Sequence, residues 1–115
     1  MTNHRELFER LAKCNLPAGV KVLVHSDAVE VITPEGSCFY TPRDKSGCRA
    51  ALMLIVDELE STGEWRFSRH RDSKGVVKCA LTRCSILRPV PFTSSRADQV
   101  TALAECLIAA LGVKE

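Results

Sequence analysis

Residues 50–56 constrain the fold of this chain most, because all seven are apolar and none is charged. Asp44 or Ser46 is placed to cap a helix ahead of this run, and Gly63 is placed to end that helix. We therefore predict a helix over residues 44–61 that is apolar on nearly all sides in its middle. Such a helix is buried on two sides, either by a sheet and another helix or by a second subunit.

Length and composition indicate one domain over residues 1–115, since a single hydrophobic core commonly spans about 50–200 residues. With 45% hydrophobic and 26% charged residues, the composition is that of a globular protein and excludes disorder. No apolar run reaches the roughly 18 residues of a membrane-spanning helix. Residues 1–6 lack the apolar stretch of a secretory signal, so we expect a cytoplasmic protein.

Hydrophobic periodicity and turn residues predict the other elements. Asn3 is placed to cap the first helix, Ser94 or Ser95 to cap the last, and Pro89 and Pro91 to stop the strand before it. The predicted elements are helices over 3–14, 44–61 and 94–112, strands over 20–25 and 29–33, a short strand over 37–41, and a hairpin of 65–70 with 76–86. We predict an α+β domain in which a mainly antiparallel sheet of four to five strands packs with three helices, in the order α-β-β-(β)-α-β-β-α.

Charge is unevenly distributed along the chain, although the net charge is only +2. Residues 66–88 carry seven lysines and arginines against one acid, Asp72, whereas residues 57–64 carry four acids and no base. Cations on a hairpin can track a phosphate backbone or steer an acidic protein partner, but a charged solvent face is also the default of an antiparallel sheet. The candidate binding residues on this hairpin are Arg66, Arg69, Arg71, Lys74 and Lys78.

A second group of cations, Arg43, Lys45 and Arg49, surrounds the predicted start of the second helix. A helix N-terminus offers unpaired N–H groups and a partial positive charge, and these cations would strengthen anion binding there. Cations at this end disfavour the helix by about 0.3–1 kcal/mol, and such local conflicts gather at functional sites. The alternative is an ordinary capped helix with solvated cations. No phosphate-loop or dinucleotide-binding fingerprint accompanies the cluster.

The six cysteines show no C-x2-C spacing, and the three histidines are scattered. We therefore expect no metal site and no cofactor, with reduced cysteines that pack mainly as small apolar core residues. The chain also lacks the catalytic motifs of hydrolases and metalloproteases. We expect no enzymatic activity, and a cysteine-dependent enzyme is the third alternative.

The passage from Gly63 through Trp65 and Phe67 to Ser68, followed by a hairpin and a capped Ala/Leu-rich helix, resembles small phage- or prophage-encoded accessory proteins. Among these, the chain is similar to the phage ABA-sandwich proteins over about its last 70 residues. The resemblance implies a cytoplasmic, non-enzymatic protein that acts on host machinery, with inhibition of a defence system as one such role.

These observations lead to two functional hypotheses. The first is a phage-type binding protein or inhibitor that contacts a host protein or complex through the basic hairpin, as a homodimer with Met53 and Leu54 at its interface. The second is a binder of an anionic ligand, a nucleic acid or a small nucleotide, that uses the hairpin together with the helix start at residues 43–49. Both predict an open positive surface on the folded chain.

Overall fold

A computed structural model describes residues 4–84 and 91–113. Within these ranges the chain forms three helices and two three-stranded antiparallel sheets, which confirms the α+β class and the number of helices. The elements are α1 (Arg5–Ala12), β1 (Lys21–Val24), β2 (Val29–Thr33), β3 (Gly36–Tyr40), α2 (Lys45–Ser61), β4 (Trp65–Arg71), β5 (Val77–Arg83), β6 (Pro91–Arg96) and α3 (Gln99–Leu111). No helix of this described part is long and apolar enough to cross a membrane.

The apolar run lies in the middle of α2, and this chain covers both sides of it. Helix α3 packs against α2, and β4 together with β2 and β3 covers more of its surface. Leu52, Ile55 and Val56 are completely buried, as predicted for a helix that is apolar nearly all round. Met53 and Leu54 are half-buried and pack against the same core. A homodimer through these two residues stays a prediction.

The prediction of one sheet with four to five strands is wrong. The six strands form two separate meanders, with the order β1-β2-β3 in the N-terminal sheet and β4-β5-β6 in the C-terminal sheet. Each hairpin gains its third strand from the segment that directly follows it, through pairs such as Val31 with Cys38 and Leu81 with Phe92. The 17-residue helix α2 lies between the two meanders in the chain. Every strand thus pairs only with a sequence neighbour.

Strand β6 replaces the beginning of the predicted last helix. Pro91, predicted to stop a strand, instead begins one, because the first residue of an edge strand needs no ladder N–H. Ser94 and Ser95 lie within β6 and do not cap α3. The cap is Asp98, whose side chain accepts a hydrogen bond from the Val100 N–H at 3.3 Å. The predicted cap Asn3, the strand end at residues 85 and 86, and Pro89 lie outside the described residues.

The C-terminal sheet presents one face to the helices and leaves the other open. Val77, Cys79 and Leu81 on its central strand β5 are buried under the helices. The residues between them, and their neighbours on β4, face outward and carry no large apolar group. Helices α2 and α3 run in the same direction across the covered face, since their N-terminal residues line one cavity and their C-terminal residues line another. Both helix N-termini therefore lie at the same end of the sheet.

Candidate functional site

The strand register divides the cations of the basic hairpin between two faces of the C-terminal sheet. Arg69 pairs with Cys79 and Arg71 pairs with Val77, so both arginines lie on the face that the helices cover. Directly opposed residues of an antiparallel pair share a face. Arg66 pairs with Thr82 on the open face, where Lys78 also lies. The hairpin is therefore not one continuous basic surface.

Arg69 and Arg71 lie near the end of β4, where the covered face of the sheet meets the N-terminal ends of α2 and α3. Two adjoining cavities, of about 230 and 420 Å³, open there and share Arg49, Arg71 and Gln99 in their linings. We call this region the cationic cleft and define it by its four cations, which are Lys45, Arg49, Arg69 and Arg71. Four of the eight candidate binding residues named from the sequence therefore lie together in the cleft.

Two helix N-termini add to the positive potential of the cationic cleft. Lys45, Ser46 and Arg49 of α2 and Gln99 and Val100 of α3 line the smaller cavity. Neither helix carries an acidic residue in its first turn, so only the capping aspartates offset the partial positive charge of the helix ends. Each such end is equivalent to roughly half an elementary charge. The arrangement suits an anion.

The four cations of the cleft have no carboxylate within 4.0 Å among the described residues. Other arginines are paired: Arg96 forms a bidentate pair with Glu105, and Arg83 lies 3.9 Å from Glu64. The acidic run at residues 57–64 occupies the C-terminal end of α2 and the turn after it, whereas the cleft lies at the N-terminus of α2. The cleft cations are therefore not neutralised by that run.

One carboxylate, that of Asp98, lines the cleft. It accepts hydrogen bonds from Nε2 of His4 at 2.8 Å and from Oγ1 of Thr101 at 2.7 Å, in addition to the Val100 N–H. Burial acts to raise the pKa of Asp98, but these hydrogen bonds outweigh it and the pKa is lowered. The carboxylate is thus ionised and already occupied by donors from the protein. It reduces the positive charge of the cleft by one unit.

His4 lies behind Asp98 and is 1% exposed. Its backbone N–H donates to the carbonyl of Pro42, and its Nδ1 has no hydrogen-bond partner among the described residues. His4 precedes α1, so its bond to Asp98 connects the start of the chain to the start of α3. The sequence pattern contained no sign of this contact, because the two residues lie 94 positions apart.

The remaining predicted binding residues lie elsewhere. Arg43 borders a different cavity, of about 390 Å³, beside Arg5 and Asp27. Lys74 is exposed in the hairpin loop, where Asp72 accepts hydrogen bonds from the backbone of Lys74 and of residue 76. Arg66 and Lys78 are exposed on the open face of the C-terminal sheet. Arg88 lies outside the described residues.

Six free cysteines are present, of which Cys38 and Cys84 are exposed and the other four are buried. Burial raises the pKa of the Cys48 thiol to about 11 and that of the Cys106 thiol to about 12. Burial also raises the pKa of Cys14 and Cys79. A thiol with a raised pKa is a poor nucleophile at neutral pH. In the described ranges, no group of three or more His, Cys, Asp and Glu side chains is arranged to hold a metal ion.

Sequence reasoning missed Gln99, His70 and Asp98 as lining residues of the cleft. Asp98 carried a usable signal, because Asp is a preferred N-cap and an apolar helical stripe follows it. The serines four and three residues earlier competed for the same role. Nothing in the sequence marks Gln99, whose position in the cleft follows from where α3 begins.

No family model, no curated protein and no solved structure matches this chain.

Proposed function

We propose that this chain is a non-enzymatic binding protein whose cationic cleft holds a phosphate-bearing ligand. The observation that carries the proposal is the convergence of Lys45, Arg49, Arg69 and Arg71 on adjoining cavities at two helix N-termini, with no carboxylate partner within 4.0 Å in the described ranges. Unpaired cations that line a concave site in this way favour a ligand that supplies the missing negative charge.

Phosphate fits the donors of the cleft better than a carboxylate does. Guanidinium groups such as those of Arg49 and Arg71 bind phosphate through two parallel N–H bonds, and helix N-termini bind it through backbone N–H groups. The two cavities, of about 230 and 420 Å³, together have the size of a small-molecule site. The described residues that line them include no Phe, Tyr or Trp, and the side chain of His70, which pairs with Lys78, lies on the open face of the sheet. We infer that the cleft recognises the phosphate groups of its ligand and makes little use of a base.

Contact with an acidic surface of a host protein, and the phage-type role that accompanies it, stay predictions. The cations available for that contact are those of the open face, Arg66 and Lys78, together with Lys74 at the tip of the hairpin. Arg66 and Lys78 lie on the opposite side of the sheet from the cleft. The two functions therefore depend on different residues, and substitution separates them.

The test measures binding of pyrophosphate and of single-stranded DNA by calorimetry, at two salt concentrations. Two double charge reversals are compared: Arg49→Glu with Arg71→Glu in the cleft, and Arg66→Glu with Lys78→Glu on the open face. Both change the net charge equally. Because hydrogen bonds to charged groups contribute about 1.5–3 kcal/mol each, the cleft variant should bind pyrophosphate at least about 100-fold more weakly. The open-face variant should bind it as the unmodified chain does.

The two probes distinguish the source of the phosphate. A nucleic-acid ligand predicts a steep fall in affinity with salt and a contribution from several cations, whereas a small phosphate compound predicts tight pyrophosphate binding with a shallow slope. If neither probe binds, or if the open-face reversal weakens binding as much as the cleft reversal, the proposal is wrong. In the second case the binding surface is the open face.

A further inference from the structure

Strand β3 forms one free edge of the N-terminal sheet, since the strand order is β1-β2-β3. Four of its five residues are exposed. In an antiparallel ladder, every second residue of an edge strand directs its N–H and C=O away from its neighbour. These groups are a template for a further strand, which natural proteins normally block with charges, prolines or a covering element.

The other three sheet edges in the described ranges are blocked in one of these ways. Strand β1 carries Lys21 and lies beside α1. Strand β4 carries three arginines. Strand β6 begins with Pro91, ends with Arg96 and packs against α3. Strand β3 also contacts a helix, α2, but it contains neither a charge nor a proline, so it alone among these edges has no residue that opposes pairing.

The residues of β3 are complementary in size to β3 of a second copy. In an antiparallel pair centred on Cys38, Phe39 lies opposite Ser37 of the second copy, and Tyr40 lies opposite Gly36 of the second copy. Each large side chain thus faces a small one. Phe39 is 63% exposed, and the strand carries no charge that two copies would bring together. A strand from an unrelated protein would not have this symmetry.

We propose that β3 pairs edge to edge and antiparallel with β3 of a second copy of this chain, about a two-fold axis at Cys38. Such a contact is isologous: both copies use the same edge, and the association stops at two. Only five residues on each chain take part, so the interface lies at the low end of the size range and the dimer is weak and concentration-dependent. This dimer leaves Met53 and Leu54 outside the interface.

The first experiment measures the mass of the full chain by light scattering over a dilution series. The unmodified chain should shift reversibly from dimer to monomer, and Phe39→Glu should weaken the dimer by at least about tenfold. Leu23→Glu is the matched control, because Leu23 is 43% exposed on the same outer face but lies on β1. It should leave the dimer unchanged. A chain that is monomeric at every concentration, or a Leu23→Glu effect equal to that of Phe39→Glu, overturns the proposal.

The second experiment uses the unmodified strand and so does not depend on how a variant folds. The pairing places the two Cys38 residues directly opposite, with Cα atoms about 4.5–5.5 Å apart, which is within the range that a disulfide spans. Treatment with diamide, which oxidises the two thiols, should yield a covalent dimer in the unmodified chain and in Cys84→Ser. It should yield none in Cys38→Ser. Crosslinking that is lost in Cys84→Ser and kept in Cys38→Ser overturns the proposed register.

Discussion

The N-terminal and C-terminal sheets are both three-stranded antiparallel meanders, but their exposed edges carry opposite chemistry. Strand β4 presents Arg66, Arg69 and Arg71, whereas β3 presents no charge. Charged edge strands resist pairing with other chains, and uncharged ones permit it. The same topology thus carries a charged edge in one half of the molecule and an uncharged edge in the other. Side-chain charge, and not strand order, distinguishes the two edges.

The two sheets also differ in how far their large apolar side chains are exposed. Leu23 and Phe39 are 43% and 63% exposed on the N-terminal sheet, and the ring of His25 lies 6.0 Å from that of Phe39. On the C-terminal sheet the two aromatic residues of β4, Trp65 and Phe67, are instead half-buried against the core. One sheet therefore leaves apolar side chains exposed to solvent, while the other packs its aromatic side chains against the core.

The largest effect on stability should follow from Asp98→Ala, which cuts the hydrogen bond between the start of the chain and α3. The change removes an N-cap, which costs about 0.5–2 kcal/mol of stability. It also leaves the buried His4 imidazole without a hydrogen-bond partner, which costs about 1–3 kcal/mol. We expect urea denaturation to show a loss of about 2–4 kcal/mol. Asp44→Ala is the matched control, because it removes the cap of α2, which accepts only from the Ser46 N–H. It should cost about 1 kcal/mol, and equal losses would show that the bond to His4 adds nothing.

The comparison of the unmodified chain with Asp98→Ala also gives a prediction for the pH dependence of stability. The pKa of Asp98 is lowered in the folded state, so its contribution to the free energy of unfolding is present above the ordinary aspartate pKa of 3.8 and is lost as the pH falls through the lowered value. The stability difference between the unmodified chain and Asp98→Ala should therefore be constant at neutral pH and should narrow in acid. A difference that grows in acid would contradict the assignment.

Thiol reactivity should separate the exposed edge of one sheet from the buried face of the other. Cys38 on β3 is exposed, whereas Cys79 on β5 and Cys48 on α2 are buried. The pKa of Cys48 is raised from 9.0 to about 11, which lowers its thiolate fraction about 100-fold at neutral pH. Mass spectrometry after iodoacetamide treatment should find Cys38 and Cys84 modified in the native protein, and all six cysteines modified in urea. Rapid native labelling of Cys48 or Cys79 would show that the core opens.

A smaller effect, on self-association, is expected when arginines are removed from β4 so that this edge resembles the uncharged edge of β3. The double variant Arg66→Thr with Arg69→Thr removes two charges from β4, and we expect self-association to rise by about fivefold, or roughly 1 kcal/mol. The control, Arg43→Thr with Lys74→Thr, removes the same charge from loops. Light scattering at matched concentrations compares the two variants. If both associate equally, net charge and not the strand edge controls association.

The smallest effect is expected at the exposed pair of Arg83 and Glu64, whose atoms lie 3.9 Å apart. Both side chains are about half exposed, so solvent screens the interaction. Glu64→Gln should change the free energy of unfolding by less than about 0.5 kcal/mol. A larger loss in thermal denaturation would mean that the pair, with Arg83 lying 5.8 Å from the Trp65 ring, does more for the C-terminal sheet than its exposure suggests.

Local sequence patterns predicted most of the elements and several of their faces. The uninterrupted apolar run of α2 required cover on two sides, and hydrophobic periodicity predicted the strand that forms β5. The turn from α2 into β4 was readable as well, because Gly63 adopts a φ of +79° that other residues rarely tolerate. These features depend only on residues that are close in the sequence, and so a short segment is enough to predict them.

The sequence by itself determined much of which residues are buried and which face outward, and which strands carry charge, since the periodicities of helix and strand act over a few residues. Only the tertiary structure decided that Arg71 of β4 and Arg49 of α2 line one cavity at the start of α3. It likewise decided that His4 reaches Asp98 and that six strands form two sheets. These outcomes depend on how whole elements pack, because contacts between distant residues arise only when separate apolar faces share one core.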